Sequence, residues 1–252
     1  MRSFIVLALA LAANSTTTSH ADIFRADAVR PVLVDVVPSR IFVPQGFDEN
    51  DNVEVVLDGD LGNTCSKLGP TSFRIDEAQR TVFIRQQAYR YASQYCIETP
   101  VSYTQPLSLG VLARGDYRLV IEGSGIGSPA VQAELPVAAS STNGPDDFVY
   151  APVRDVYVDR NALGGKELTK NPTLILAGTF NNSCMKLKKV ETRVRPNSVI
   201  EVLPIVEISG KICGSQMQDF TAGISLKGVG PGRYLIHVRS LNGRSVNRVE
   251  DL

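Results

Sequence analysis

Apolar and polar residues alternate in short runs along this chain, and the runs come in two series. Tyr117, Leu119 and Ile121 alternate with Arg118, Val120 and Glu122, the period of a strand with one buried face. Val131, Ala133, Leu135 and Val137 then alternate with Gln132, Glu134 and Pro136, which predicts an antiparallel partner joined through a turn over Gly123–Ser128. Further on, Tyr234, Ile236 and Val238 alternate with Leu235, His237 and Arg239, placing His237 on the outward phase. Leu241-Asn242-Gly243 predicts a tight hairpin turn, because Asn and Gly both tolerate positive φ, and Arg244 to Val249 is the closing strand. Shorter runs predict strands over Pro31–Val37, Arg40–Pro44, Val53–Leu57, Thr81–Arg85 and Leu107–Leu109. Pro152–Val158, Thr173–Leu176 and Val199–Leu203 repeat that order. No stretch beyond the N-terminal leader keeps a helical period, so the fold class is all-β.

The two series are copies. Gly59-Asp60-Leu61-Gly62-Asn63-Thr64-Cys65-Ser66-Lys67-Leu68 returns 119 residues later as Gly178-Thr179-Phe180-Asn181-Asn182-Ser183-Cys184-Met185-Lys186-Leu187. Each copy meets a second cysteine, Cys96 or Cys213, and then a Gly-x-Tyr step, Gly115-Asp116-Tyr117 or Gly232-Arg233-Tyr234. Both later landmarks are offset by 117 residues, so a loop between the paired cysteines absorbs the difference.

The first residues read differently. Arg2 precedes an apolar stretch from Phe4 to Ala13 that is too short to span a bilayer, and Ser19-His20-Ala21 places small residues before a cut ahead of Asp22. Residues 1–21 are expected to be a signal peptide, and no later run is long and apolar enough for a transmembrane helix. Four cysteines in an exported chain predict disulfides, and the repeat selects Cys65–Cys96 and Cys184–Cys213 from the three possible pairings. With 9 Phe, 8 Tyr and no Trp, the core is built mainly from Val, Leu and Ile. Net charge is zero, yet 10 Lys and Arg face 15 Asp and Glu over residues 22–140, against 15 and 11 over residues 141–252. Opposite charge on the two copies can steer how they sit together.

About seven short strands per copy predict a two-sheet sandwich. The run Leu109, Leu112, Gly115, Tyr117, with its weaker copy Leu226, Val229, Gly232, Tyr234, resembles the immunoglobulin-like modules of bacterial secreted and surface proteins. The resemblance implies two tandem immunoglobulin-like β-sandwich domains, over residues 22–139 and 148–252, joined by a linker at 140–147. It also implies a tyrosine bonded back to the upstream backbone. The chain departs from antibody-type domains in lacking Trp and in where its cysteines fall.

Candidate chemistry is sparse. His20 leaves with the leader, so a histidine-based catalytic arrangement would rest on His237 alone, and no carboxylate pair stands out. No enzyme activity, cofactor or metal site is expected. The acidic run Asp48, Glu49, Asp51, Asp58, Asp60 is partly replaced in the second copy by Ala177 and Thr179, and whether it binds calcium stays open. The basic cluster Lys186, Lys188, Lys189, Arg193, Arg195 lacks the interleaved aromatics that nucleic acid binding uses and reads as a solvated face. Gly123–Ser128 joins two strands, not a strand and a helix, so it is no phosphate loop.

One stretch carries a binding signature. Tyr89-Arg90-Tyr91-Ala92-Ser93-Gln94-Tyr95, with Tyr103 beyond, holds four of the 8 Tyr mixed with Arg, Ser and Gln, read here as a loop anchored at Cys96. Recognition surfaces use such rigid amphipathic rings. The alternative is a structural cap over the cystine. The expected function is an exported, periplasmic or secreted, non-enzymatic protein. It would bind a protein or polysaccharide partner through Tyr89, Arg90, Tyr91, Tyr95 and Tyr103. A structural or assembly component, in which the second copy contacts a neighbour's edge strand, is the alternative, and a pilus-assembly type chaperone ranks below it.

Overall fold

The computed structural model describes residues 30–92, 95–123, 131–160, 172–210 and 212–252. The expected leader, Ser93, Gln94 and most of the Gly123–Ser128 turn lie outside these residues. Strands and their connections make up the described chain, with no helix among the described residues.

The first half holds β1 (Val32–Val36), β2 (Arg40–Phe42), β3 (Phe47–Asp48), β4 (Val53–Leu61), β5 (Ser66–Asp76), β6 (Thr81–Arg90), β7 (Val101–Gly110), β8 (Gly115–Ile121) and β9 (Gln132–Ala138). The second holds β10 (Val153–Asp159), β11 (Thr173–Phe180), β12 (Met185–Arg195), β13 (Val199–Ile208), β14 (Gln218–Ser225), β15 (Arg233–Ser240) and β16 (Arg244–Asp251). Each half folds as two facing sheets. The smaller sheets, β2-β4-β7 and β10-β11-β14, correspond strand for strand. The larger ones share the order β5-β6-β8-β9 and β12-β13-β15-β16.

Equivalence extends to details. A turn residue of positive φ, Arg80 or Ser198, precedes β6 or β13, and its carbonyl accepts from Arg118 or Leu235. That bond leads into a parallel pairing, β6 with β8 and β13 with β15. The remaining length of that β6 edge is taken by β1; in the second half, among the described residues, a bridge from Tyr150 to Ile205 takes its place. Asn242 and Gly243 both have a φ of 64°, as the predicted Asn-Gly hairpin requires.

Two separate cores follow from the alternation. Val53, Val55, Leu57, Val82, Ile84, Leu119, Ile121 and Leu135 belong to one, and Leu174, Leu176, Ile200, Val202, Ile236 and Val238 to the other. The outward phases, however, are not all solvated. β4 turns Glu54, Val56 and Asp58 against the second half, and β15 turns Leu235, His237 and Arg239 against the first.

This seam can be followed end to end. Arg233 forms a two-pronged ion pair with Asp58, both nitrogens at 2.8 Å. Phe42 and Val56 then meet Val199, Leu235 and Val249 in a small apolar cluster. Glu54 accepts from Ser245 at 2.6 Å and from Asn247. Phe47 meets the His237 ring edge-on at 6.1 Å. Arg239 closes the far end on Asp51 at 3.0 Å, on Asp146 at 3.1 Å and on the Gly46 carbonyl. β4 therefore runs antiparallel to β15 across the seam, and the two cystines lie towards opposite ends of the molecule. The surplus acid of the first half and base of the second meet in these ion pairs.

A candidate binding face beside the first cystine

Both disulfides are those the repeat selects, Cys65–Cys96 and Cys184–Cys213, with Cα separations of 5.4 and 5.3 Å. The repeated motif is the machinery that seats them. Asn63 Oδ1 accepts from the Cys65 amide at 3.2 Å, and Asn182 Oδ1 accepts from the Cys184 amide at 3.0 Å. The next residue reaches past the second cysteine. Thr64 donates its amide to the Ile97 carbonyl and accepts the Ile97 amide on its hydroxyl; Ser183 does the same with Gly214. The Cys65 and Cys184 carbonyls accept from Tyr91 and Ser209. Each cystine is thus held by four local bonds, two of which need the Asn and the Thr or Ser side chains.

The predicted tyrosine loop is largely strand. β6 runs on to Arg90, because its edge partners β1 and β5 both extend that far. Within it Tyr89 follows the outward phase, with Arg85 and Gln87, while Arg90 follows the inward phase at the rim beyond buried Ala88. Tyr89 stands directly opposite Leu33 on one side and Lys67 on the other. The Lys67 ammonium lies 5.4 Å from the centroid of the Tyr91 ring, so Leu33, Lys67, Tyr89 and Tyr91 share one face. Below Leu33 that face continues as Asp35, which accepts from Arg85 and Gln87; the Arg85 hydrogen bond holds its carboxyl below the usual range. Tyr95 is 87% exposed and Ile97 64% exposed, both flanking Cys96.

Tyr103 does not belong to this face. It is 8% exposed and sits on β7 opposite Gly59, packed with Leu61 and Ala88. A Cβ on Gly59 would come within 2.9 Å of its hydroxyl, so the glycine is there to admit the ring. Phe220 covers Gly178 identically in the second half, where a Cβ would lie 2.7 Å from the ring. Tyr103 is therefore removed from the recognition set: alternation on β7 turns it inward. Burial pushes its hydroxyl up to about 12, helped by Asp58 and Asp60, and the oxygen has no hydrogen-bond partner among the described residues.

The other candidates are redistributed as well. Asp58 pairs with Arg233, Asp51 with Arg239, and Asp60 accepts from Ser102 at 2.6 Å. Among the described residues no three His, Cys, Asp or Glu side chains converge as metal ligands. In the basic cluster, Glu191 is shared by Lys189 and Arg193, and Arg195 pairs with Glu201. Tyr117 is buried and donates to the Glu77 side chain at 3.2 Å, where the Gly-x-Tyr resemblance implied a bond to the upstream backbone.

His237 is the principal surprise. Its strand phase is outward, as the alternation required, but the first half covers that face and leaves it 2% exposed. Asn247 donates its amide to Glu54, so its oxygen accepts from His237 Nδ1 at 2.8 Å, and Nε2 has no partner among the described residues. Burial pushes the imidazole down to about 4, Arg239 adding to the effect and Asn247 opposing it. It is a neutral residue of the seam.

Neither a known protein family's sequence pattern nor any curated protein or solved structure matches this chain. Among the described residues no helix is long and apolar enough to cross a membrane, and the two disulfides suit an oxidising compartment.

Proposed function

We propose that this is an exported, non-enzymatic protein of two immunoglobulin-like domains, over residues 22–139 and 148–252, that binds another macromolecule through the tyrosine face of the first. The observation that carries this reading is a difference between the copies. Tyr89 stands opposite Lys67, whereas the equivalent partner of Lys186 is Glu207. The fold does not need the ring, so the first half presents Leu33, Tyr89, Tyr91, Tyr95 and Ile97 for another purpose. Rigid rings around a covalently fixed strand end lose little conformational entropy when a partner covers them. The non-enzymatic reading is supported by cysteines that are bridged and a histidine sealed in the seam.

The test is the triple change of Tyr89, Tyr91 and Tyr95 to Ser. The expected result is a melting temperature close to that of the parent with loss of capture from an envelope or secreted fraction, or from a polysaccharide array. Each anchor ring contributes about 2 kcal/mol when it is central to an interface. A fall in melting temperature with capture retained would make the rings a cap over the Cys65–Cys96 bridge. An assembly role is the second reading, and one open strand edge favours it.

A further inference from the structure

Among the described residues, most outer strands carry a feature that hinders further pairing. β5 carries a bulge between Leu68 and Thr71, where Gly69 and Pro70 fall. β12 carries another between Leu187 and Lys189, flanked by Lys186, Lys188 and Lys189. Pro106 sits in the middle of β7 and offers no N–H. β10 is bulged between Val153 and Asp155 and gives its Val156 carbonyl to Arg248. β2 and β3 are three and two residues long. Bulges, edge lysines, prolines and short strands are the devices that stop sheets from adding further strands.

β14 has none of them. Gln218 to Ser225 pairs residue for residue with β11 without a register shift, and no strand among the described residues pairs its other edge. It contains no Lys, Arg or Pro, and its one charge, Asp219, lies near the start. Its sequence is also self-complementary. Set antiparallel to itself about Ala222, it places Phe220 opposite Ile224, Thr221 opposite Gly223 and Asp219 opposite Ser225. Directly opposite residues then share a face, as the pleat demands. The first is an aromatic and β-branched pair, a combination that stabilises sheets. The last repeats a pairing the chain already uses twice, Asp60 with Ser102 and Asp219 with Thr179.

We propose that β14 is a self-association edge, on which a second copy of this chain pairs antiparallel about Ala222. The pairing joins two β10-β11-β14 sheets into one continuous six-stranded sheet. It is isologous and closes at two copies, which leaves no open edge to propagate. The tyrosine face lies on the other half, so this inference stands independently of the function proposed above.

Sedimentation velocity on the full chain with both bridges intact, across the micromolar range, tests it. A reversible dimer is expected. Ser225→Asp sets carboxylates opposite Asp219 on both sides of the two-fold axis and weakens the dimer roughly tenfold. Ser225→Lys, an equal burden of charge on the single chain, leaves the dimer intact or tightens it. Ala222→Cys reports the register directly: the native cysteines are all bridged, so its thiol oxidises to a covalent dimer, whereas the same change at Thr221 does not. A chain that stays monomeric throughout the range overturns the proposal. So does a dimer indifferent to Ser225→Asp, or one that Ala222→Cys does not cross-link.

Discussion

The two halves agree where the chain must close on itself and differ where it meets something else. Asn63 and Asn182, Thr64 and Ser183, and the paired cysteines do the same work in both. Gly115 and Gly232 hold equivalent positive φ values of 150° and 156°. The middle residue of the Gly-x-Tyr step is exposed Asp116 in the first half and the seam arginine Arg233 in the second. Its partner Asp58 has Ala177 as its counterpart. One ion pair across the seam is thus made from two positions that the repeat does not keep. Duplication supplies the scaffold, and divergence of outward residues makes the halves cohere.

The most severe way to break this contrast is Arg239→Ala. It strands the carboxylates of Asp51 and Asp146, which are 5% and 7% exposed. Stranding buried charge costs about 3–5 kcal/mol, so chemical denaturation should show a large loss. Arg233→Ala should cost less, because that guanidinium is 34% exposed. Next come the bridges. Serine pairs replacing either cystine should each cost about 3–4 kcal/mol, nearly equally, since the closed loops of 31 and 29 residues are nearly the same. Unequal losses would mean the halves are not energetic equivalents.

The third prediction concerns acid. His237 titrates near 4 when folded and near its ordinary 6.5 when unfolded, so between those values the unfolded chain binds more protons. Stability should be constant above about 6.5 and fall by about 3 kcal/mol as pH drops to about 4. Burial raises the Asp146 carboxyl, which takes up its proton earlier in the folded chain and offsets part of that loss. His237→Gln should flatten the window; an unchanged slope would place the acid sensitivity elsewhere. The smallest effect sharpens the comparison. Tyr103→Phe gives the first half the second half's own solution at Gly178, and deleting a buried, unpartnered hydroxyl should stabilise by about 1 kcal/mol. A loss instead would reveal a bond to ordered water.

What the sequence disclosed follows the same division. β8, β9, β15 and β16 are legible because an alternating pattern turns one face of each towards the core of its own half. Cysteine pairing is legible only because the motif occurs twice. β5 and β12 escape notice: both are half-exposed edges, and their bulges break the period that would reveal them. β4 runs past its apolar stretch through Asp58 and Asp60, whose polarity reads as a loop until Arg233 and Ser102 are seen opposite them. The tyrosine stretch is read as a loop for a similar reason, and Tyr103 is placed among recognition residues because proximity in sequence hides its opposite phase. No local signal says that an outward face is covered. For His237 the period gave the right phase and the wrong environment, and only the charge imbalance between halves hinted at the seam.

The seam has a mechanical consequence. One ion pair between two bodies is a pivot, about which either can swing. Here Asp58–Arg233 and Asp51–Arg239 stand at opposite ends of the contact with the Phe42–Leu235 cluster between them, and two separated pivots define a line that cannot turn without breaking one. The two halves are thereby left to turn only about the line that joins the pairs, and any swing across it must break an ion pair, at one end that of the buried Arg239.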